Sequence, residues 1–222
     1  LERCLNHEPL AYILGETYFK TGQYKILPGV LIPRPETEEL VDHGIVVIQT
    51  LLNQGVRPRI FECGVGSGVI SIELAKQFPD LNFFAWDISS AAIDLTAENM
   101  QRHHVSNIEL IHADFFESYQ TTLADGHGQV LLVSNPPYIS MNDYNELSDV
   151  VKNEPIEALV APDNGLQIIS QLLHVAIDNQ FSLISEMGYD QKAAIAAQWS
   201  DYDIDFKVDL SGKNRFLFYF SG

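Results

Sequence analysis

From residue 59 onward, short apolar runs alternate with longer segments of helical period. The first such pair is joined by FECGVGSGVI, residues 61–70. This alternation constrains the fold more than any other feature. Residues 60–63 are a strand-length run, and residues 69–78 set Ile70, Leu74 and Phe78 on one helical face. Further strands are predicted at 82–86, 108–112, 130–133 and 181–186. Helices are predicted from Ser89 or Ser90 to about 103, at 166–178 and at 191–199. A helix between successive strands returns the chain across the sheet, so the strands run parallel and both faces are covered. Residues 206–210 and 216–220 flank Ser211-Gly212-Lys213-Asn214 and predict a closing antiparallel hairpin. The expected class is α/β: a doubly wound, mostly parallel seven-stranded sheet. Residues 117–129, polar with two glycines, read as loop and a short helix.

Residues 1–40 have a different character. Thr17 to Lys20 and Gln23 to Ile26 flank Thr21-Gly22 as a small β-hairpin. Pro33 and Pro35 hold the next stretch extended, and Thr37-Glu38-Glu39 opens a helix to about residue 52. The chain is therefore divided into an N-terminal segment, 1–40, and a main domain, 41–222.

Composition excludes several classes. With 30 Asp+Glu against 13 Lys+Arg the net charge is −17, and no basic run occurs. Such a surface repels phosphates, so no direct nucleic-acid partner is expected. No stretch of about 20 apolar residues exists, so no membrane helix is expected. Cys4 and Cys63 lie far apart, no His/Cys cluster has metal spacing, and His103-His104 point in different directions. No metal is expected. A reducing, cytoplasmic setting and a monomer fit these features.

The glycine turn points to a ligand. Gly64, Gly66 and Gly68 let the backbone bend sharply and approach a bound molecule. No Gly-Lys-Ser/Thr follows, which excludes a P-loop. Position 69 is Val69, where the dinucleotide fingerprint needs glycine. The GxGxG spacing, with Glu62 ahead of it and Val65 and Ser67 between the glycines, suits a nucleoside without pyrophosphate. S-adenosylmethionine, whose carboxylate could meet the loop amides, is such a ligand. Asp87 ends the second strand, where a carboxylate can accept both ribose hydroxyls. After the third strand, Asp114 can accept from an adenine amino group, and Phe115 can stack on the ring. Each feature alone is also what an ordinary turn or helix cap produces; their coincidence on one sheet edge favours a nucleoside.

The fourth strand ends in Asn135-Pro136-Pro137-Tyr138. An amino group on an sp² carbon is a poor nucleophile because its lone pair is delocalised. Two acceptors against its two N–H hydrogens hold it and favour pyramidalisation. The Asn135 side-chain oxygen and the Pro136 carbonyl, stiffened by the Pro-Pro unit, are those acceptors. Tyr138 offers a ring face to a planar amide or base. Asn135, Pro136 and Tyr138 are the catalytic candidates, with Pro137 completing the acceptor site. No general base is assigned.

The whole pattern resembles a known family. EPLAYILG (8–15), GVLIPRPETE (29–38), NPPY, NEPIEAL (153–159), EMGYDQ (186–191) and DLSGKNRF (209–216) are similar to the glutamine N5-methyltransferases of peptide-chain release factors. The resemblance implies S-adenosyl-L-methionine as methyl donor. It implies the glutamine amide of a release factor's Gly-Gly-Gln loop as acceptor. Residues 64–68, Asp87, Phe115 and Asn135 would bind the donor, Asn135 to Tyr138 would hold the acceptor, and Arg34, Pro35 and Glu36 would line its pocket. Phe115 stands where relatives often carry Trp, and Asn164-Gly165-Leu166 replaces a usual DGL; no direct role is assigned to that stretch. The resemblance also implies a helical domain ahead of Glu8, where only seven residues stand: either the chain is a fragment or that domain is absent, with residues 1–40 the segment that remains after it. The alternatives are a ribosomal-protein glutamine methyltransferase, an adenine N6 or guanine N2 methyltransferase, and a non-catalytic adenosyl-binding adaptor.

Overall fold

The computed structural model describes residues 2–123 and 128–221. Two short helices, α1 (Glu2–Leu5) and α2 (Leu10–Leu14), precede an antiparallel hairpin of β1 (Glu16–Phe19) and β2 (Gly22–Lys25). Helix α3 (Pro35–Asn53) leads into β3 (Arg59–Cys63), α4 (Val69–Gln77), β4 (Phe83–Asp87), α5 (Ser90–Arg102), β5 (Ile108–His112), α6 (Phe115–Leu123) and β6 (Val130–Ser134). After β6 come α7 (Met141–Glu146), α8 (Asp149–Lys152) and a 3-10 turn, Ile156–Ala158. The chain ends with α9 (Gln167–Asp178), β7 (Ser182–Glu186), α10 (Lys192–Gln198), β8 (Ile204–Val208) and β9 (Asn214–Tyr219).

The main sheet has seven strands in the order β5-β4-β3-β6-β7-β9-β8, with β9 antiparallel to both neighbours. The expected class holds. Strand order reverses between β3 and β6, which pair in parallel. At such a switch point the two following loops diverge and leave a crevice beyond the strand ends. All five residues of β6 are buried, as a central strand covered on both faces requires. One apolar layer joins Leu40, Val41 and Ile48 of α3 to Ile72 and Leu74 of α4; the opposite layer joins Phe115 and Tyr119 to Ile169, Leu172 and Leu173 of α9.

The boundaries differ in instructive places. Helix α3 starts at Pro35, two residues before the expected opening, because proline's fixed φ and missing N–H suit a first helical turn. It runs continuously across the 40/41 division. Much of the expected loop at 117–129 is α6: Asp114 Oδ1 accepts from Phe116 N at 2.8 Å, and Phe115 and Tyr119 bury one helical face. Residues 124–127 of that stretch lie outside the described residues. Strand β8 lies two residues earlier than expected, because Asp209 accepts from Ser211 N and Lys213 N and makes 209–213 the turn. No described helix is long and apolar enough to cross a membrane.

Candidate active site

A cleft of about 760 Å³ opens beyond the ends of β3, β4 and β6. Gly64, Gly66, Trp86, Asp87, Asp114, Phe115, Phe116, Asn135 and Pro137 line it. Ser134 Oγ donates to Cys63 O at 2.7 Å, tying the glycine loop's strand to that of the NPPY segment. A smaller cavity of about 230 Å³ adjoins, walled by Leu31, Arg34, Asn135 to Ile139, Val151, Ala158 and Leu159. Leu31, Asn135, Pro137 and Ala158 line both spaces.

The glycines divide the work. Gly64 and Gly66 have positive φ, and a Cβ on Gly64 would project into space with nothing within 4 Å. Their bare edges are what lets a ligand approach the loop. A Cβ on Gly68 would instead lie 2.7 Å from Thr96 Cγ2, so that glycine permits close packing on α5. Val65 and Ser67 are buried, and Ser67 O accepts from Asn99 Nδ2 at 2.8 Å. The amides expected to hold a carboxylate are mostly engaged already. Gly64 N and Val65 N donate to Trp86 O, Gly68 N donates to Val65 O, and Gly66 N donates to Asp87 Oδ2, 2.9 Å in each case. Asp87 thus braces the loop, and its other oxygen accepts from Ser89 N. A carboxylate has about four lone-pair sites, so it retains capacity for ribose hydroxyls.

Asp114 lines the cleft while capping α6. The Phe115 ring is buried, stacked on Tyr119 at 5.3 Å and edge-on to Trp86 at 5.2 Å. Phe116, half-buried beside it, presents a second ring to the same cleft. Four carboxylates, Asp87, Asp114, Glu117 and Glu157, line the cleft without a lysine or arginine among its described lining residues.

Glu62 does not line the cleft; it is 1% exposed beneath it. One oxygen accepts from Ser71 N at 3.0 Å and from the Ser71 hydroxyl, anchoring α4. Burial pushes its carboxyl up to about 8, against the opposing pull of the Ser71 hydrogen bonds. The unfolded chain ionises Glu62 near 4.5, whereas the folded chain keeps the proton to about 8. The raised native pKa therefore removes stability as pH climbs through that window. Thermal melts from pH 5 to 8.5 should show wild type losing more stability than Glu62→Gln; parallel slopes would mean Glu62 is not held neutral.

Asn135 Nδ2 donates to Thr37 Oγ1 at 3.0 Å. Among the described residues nothing donates to Asn135 Oδ1 or to the Pro136 carbonyl, the two oxygens singled out as acceptors. Tyr138 is half-buried; burial, reinforced by the charge of Glu186, pushes its phenol up to about 12. It remains protonated at neutral pH and cannot serve as a base.

Several residues that shape the site escaped the sequence reading. Thr37 signals only a helix start in the sequence. Arg34 pairs with Glu154 at 2.6 Å, and the other Glu154 oxygen accepts from Ile32 N at 3.0 Å, pinning the extended arm over the smaller cavity. Pro35 and Glu36 are not among the lining residues. Gln191 Nε2 donates to Tyr138 O at 2.9 Å, while its Oε1 accepts from Gly188 N. Gly165, in the stretch given no role, lies against the Tyr138 carbonyl. The two guanidiniums beside Tyr138 are both paired, Arg34 with Glu154 and Arg215 with Asp209.

Residues 37–171 match the family model described as "Methyltransferase small domain". The release factor glutamine methyltransferase of Vibrio cholerae is 37% identical over 216 residues, covering 94% of this chain and 72% of that protein. The bifunctional methyltransferase of Rickettsia bellii is 35% identical over 250 residues, covering 98% of this chain; the chain spans only 44% of that protein's length. Among solved structures, the catalytic domain of hMettl16 with the MAT2A 3'UTR hairpin 6 superposes with a TM-score of 0.67 at 14% identity, covering 90% of this chain and 75% of the other. That likeness concerns the fold.

Proposed function

The chain belongs to the release factor glutamine methyltransferase family, and from that membership we propose that it methylates the side-chain amide nitrogen of the glutamine in a release factor's Gly-Gly-Gln loop. S-adenosylmethionine, the donor, supplies an electrophilic methyl group on a sulfonium. The larger cleft fits it: bare glycine edges, an Asp87 carboxylate with free lone pairs, and aromatic rings beside Asp114. Its four carboxylates favour a cationic ligand.

One observation carries this reading: Asn135 lines both the donor cleft and the smaller cavity, with its amide nitrogen spent on Thr37. Its Oδ1 and the Pro136 carbonyl accept the two amide hydrogens of the glutamine and hold its nitrogen toward the cleft. Tyr138 packs on the carboxamide plane. The nitrogen gains the methyl, the donor sulfur keeps the electron pair of the broken bond, and the surplus N–H proton leaves to water. Rate comes from positioning and from stabilising charge as it develops. The pairing of Arg34 and Arg215 counts against a phosphate-bearing acceptor. With a translation factor as substrate, the site of action is the cytoplasm.

The test is incubation with radiolabelled donor and one of four acceptors: release factor, the same factor with its loop Gln→Ala, ribosomal proteins, or nucleic acid. Label is expected in the intact factor alone. Equal labelling of the Gln→Ala factor overturns the reading, and label in ribosomal protein or nucleic acid transfers it to those substrates.

A further inference from the structure

Glu186 ends β7, is 0% exposed, and takes no part in the chemistry described above. Neither of its oxygens closes a well-formed hydrogen bond among the described residues. Ser185 pairs with Ser134 across β7 and β6, which sets Glu186 beside Asn135; the Thr37 hydroxyl, 2% exposed and the acceptor of the Asn135 Nδ2 hydrogen at 3.0 Å, is among the groups that favour its ionised form. We propose that Glu186 is a positioning residue: through the Thr37 hydroxyl it decides which end of the Asn135 amide faces the acceptor cavity. The proposal rests on the methyltransferase reading for its kinetic consequence, but not for its geometry.

The logic is donor-acceptor counting. A threonine hydroxyl has one hydrogen, and a carboxylate only accepts. Ionised Glu186 therefore claims the Thr37 hydrogen, and Thr37 can offer Asn135 only a lone pair. Asn135 must then give its NH₂ to Thr37 and its Oδ1 to the cavity, the orientation an incoming carboxamide needs. Protonated Glu186 can itself donate to Thr37. The Thr37 hydrogen is then free to point at Asn135, and the amide can turn round, presenting a donor where an acceptor is required.

The surroundings bear on this proton from each packed element. Arg215 on β9 and Arg34 ahead of α3 favour the ionised form, while Glu36 in the first turn of α3 and Tyr138 beyond β6 lie close by. Asp209 draws off part of the Arg215 charge at 3.3 Å. Burial outweighs these charges and raises the Glu186 carboxyl to about 7. The productive amide orientation gains population as pH rises through that value.

The test measures kcat at saturating donor and release factor from pH 6 to 9, with donor Kd as a control. Wild-type kcat should rise through about pH 7. Glu186→Gln, which both donates and accepts, should lose that rise and about 10-fold or more in kcat while donor Kd stays put. Thr37→Val should do the same, Thr37→Ser should restore the pH profile, and the Glu186→Gln/Thr37→Val pair should be no worse than Thr37→Val alone. A wild-type kcat and pH profile in Glu186→Gln overturns the proposal. Nuclear magnetic resonance of the ¹⁵N-labelled Asn135 side chain gives a readout without turnover: its amide signals should titrate near pH 7 in wild type and not in Glu186→Gln. Absence of that titration also overturns the proposal. If the titration is present but wild type leaves release factor unlabelled, the substrate reading fails while the relay stands.

Discussion

Asn135→Ala should lower methyl transfer to the release factor by about 10²-fold or more, because groups that position and electrostatically stabilise a reacting centre carry that much. The substitution removes the Oδ1 acceptor and the N–H donated to Thr37, at a residue that lines both cavities. The loss should fall on kcat at saturating donor. Donor affinity should weaken far less, since Asp87, Asp114 and the glycine edges remain in the larger cleft. Single-turnover kinetics with calorimetric titration of the donor separates the two effects. Turnover near wild type would remove Asn135 from the chemistry and leave it as an ordinary strand-end amide.

Gly165→Ala should be nearly as damaging, from a residue that touches neither cavity. Its φ is +83°, and a Cβ there would lie 2.1 Å from the Tyr138 carbonyl oxygen and 2.7 Å from Gln191 Nε2. The first obstacle is backbone, so it cannot swing aside as a flexible side chain could. The conformational strain alone costs about 1–3 kcal/mol. Relief requires moving the Tyr138 carbonyl, which breaks the 2.9 Å bond from Gln191 and shifts the NPPY segment. A displacement of about 1 Å at a reacting centre costs about 10²-fold in rate. The variant should therefore melt lower and turn over about 10²-fold more slowly while donor affinity is largely kept. Gly212→Ala is the control: φ is +80° there too, but nothing lies within 4 Å of the added Cβ, so only the backbone term applies. If Gly165→Ala behaved like Gly212→Ala, Gly165 would not be the buttress of the acceptor loop.

The legible parts of this site were those whose chemistry is local. A glycine turn after a strand, an aspartate at the next strand end and Asn-Pro-Pro-Tyr at a third each announce themselves within ten residues. The sequence leaves the extent of helix α6 open because Asp114's cap and the Phe115–Tyr119 face compete with the polar, glycine-containing stretch that follows. The segment holding α7 and α8 carries no helical signal in the sequence, since its short turns lack an apolar period. Expecting the loop amides to hold a carboxylate overlooked their claim on Trp86 O and Asp87.

By itself the order of residues determined the doubly wound sheet, the place of its crevice and several of the groups that face it, Gly64, Gly66, Asp87, Asp114, Phe115 and Asn135 among them. Period, turn chemistry and strand-end residues are properties of neighbouring positions, and chain connectivity converts them into topology. Only the tertiary structure decided how those groups are aimed. Glu154 steadies Arg34, Gly165 and Gln191 set the Tyr138 carbonyl, and Thr37 with Glu186 sets the Asn135 amide, each from a distant part of the chain. A buried polar group is oriented by whichever partners packing brings within hydrogen-bond reach, and that reach extends through space with no regard for separation along the chain.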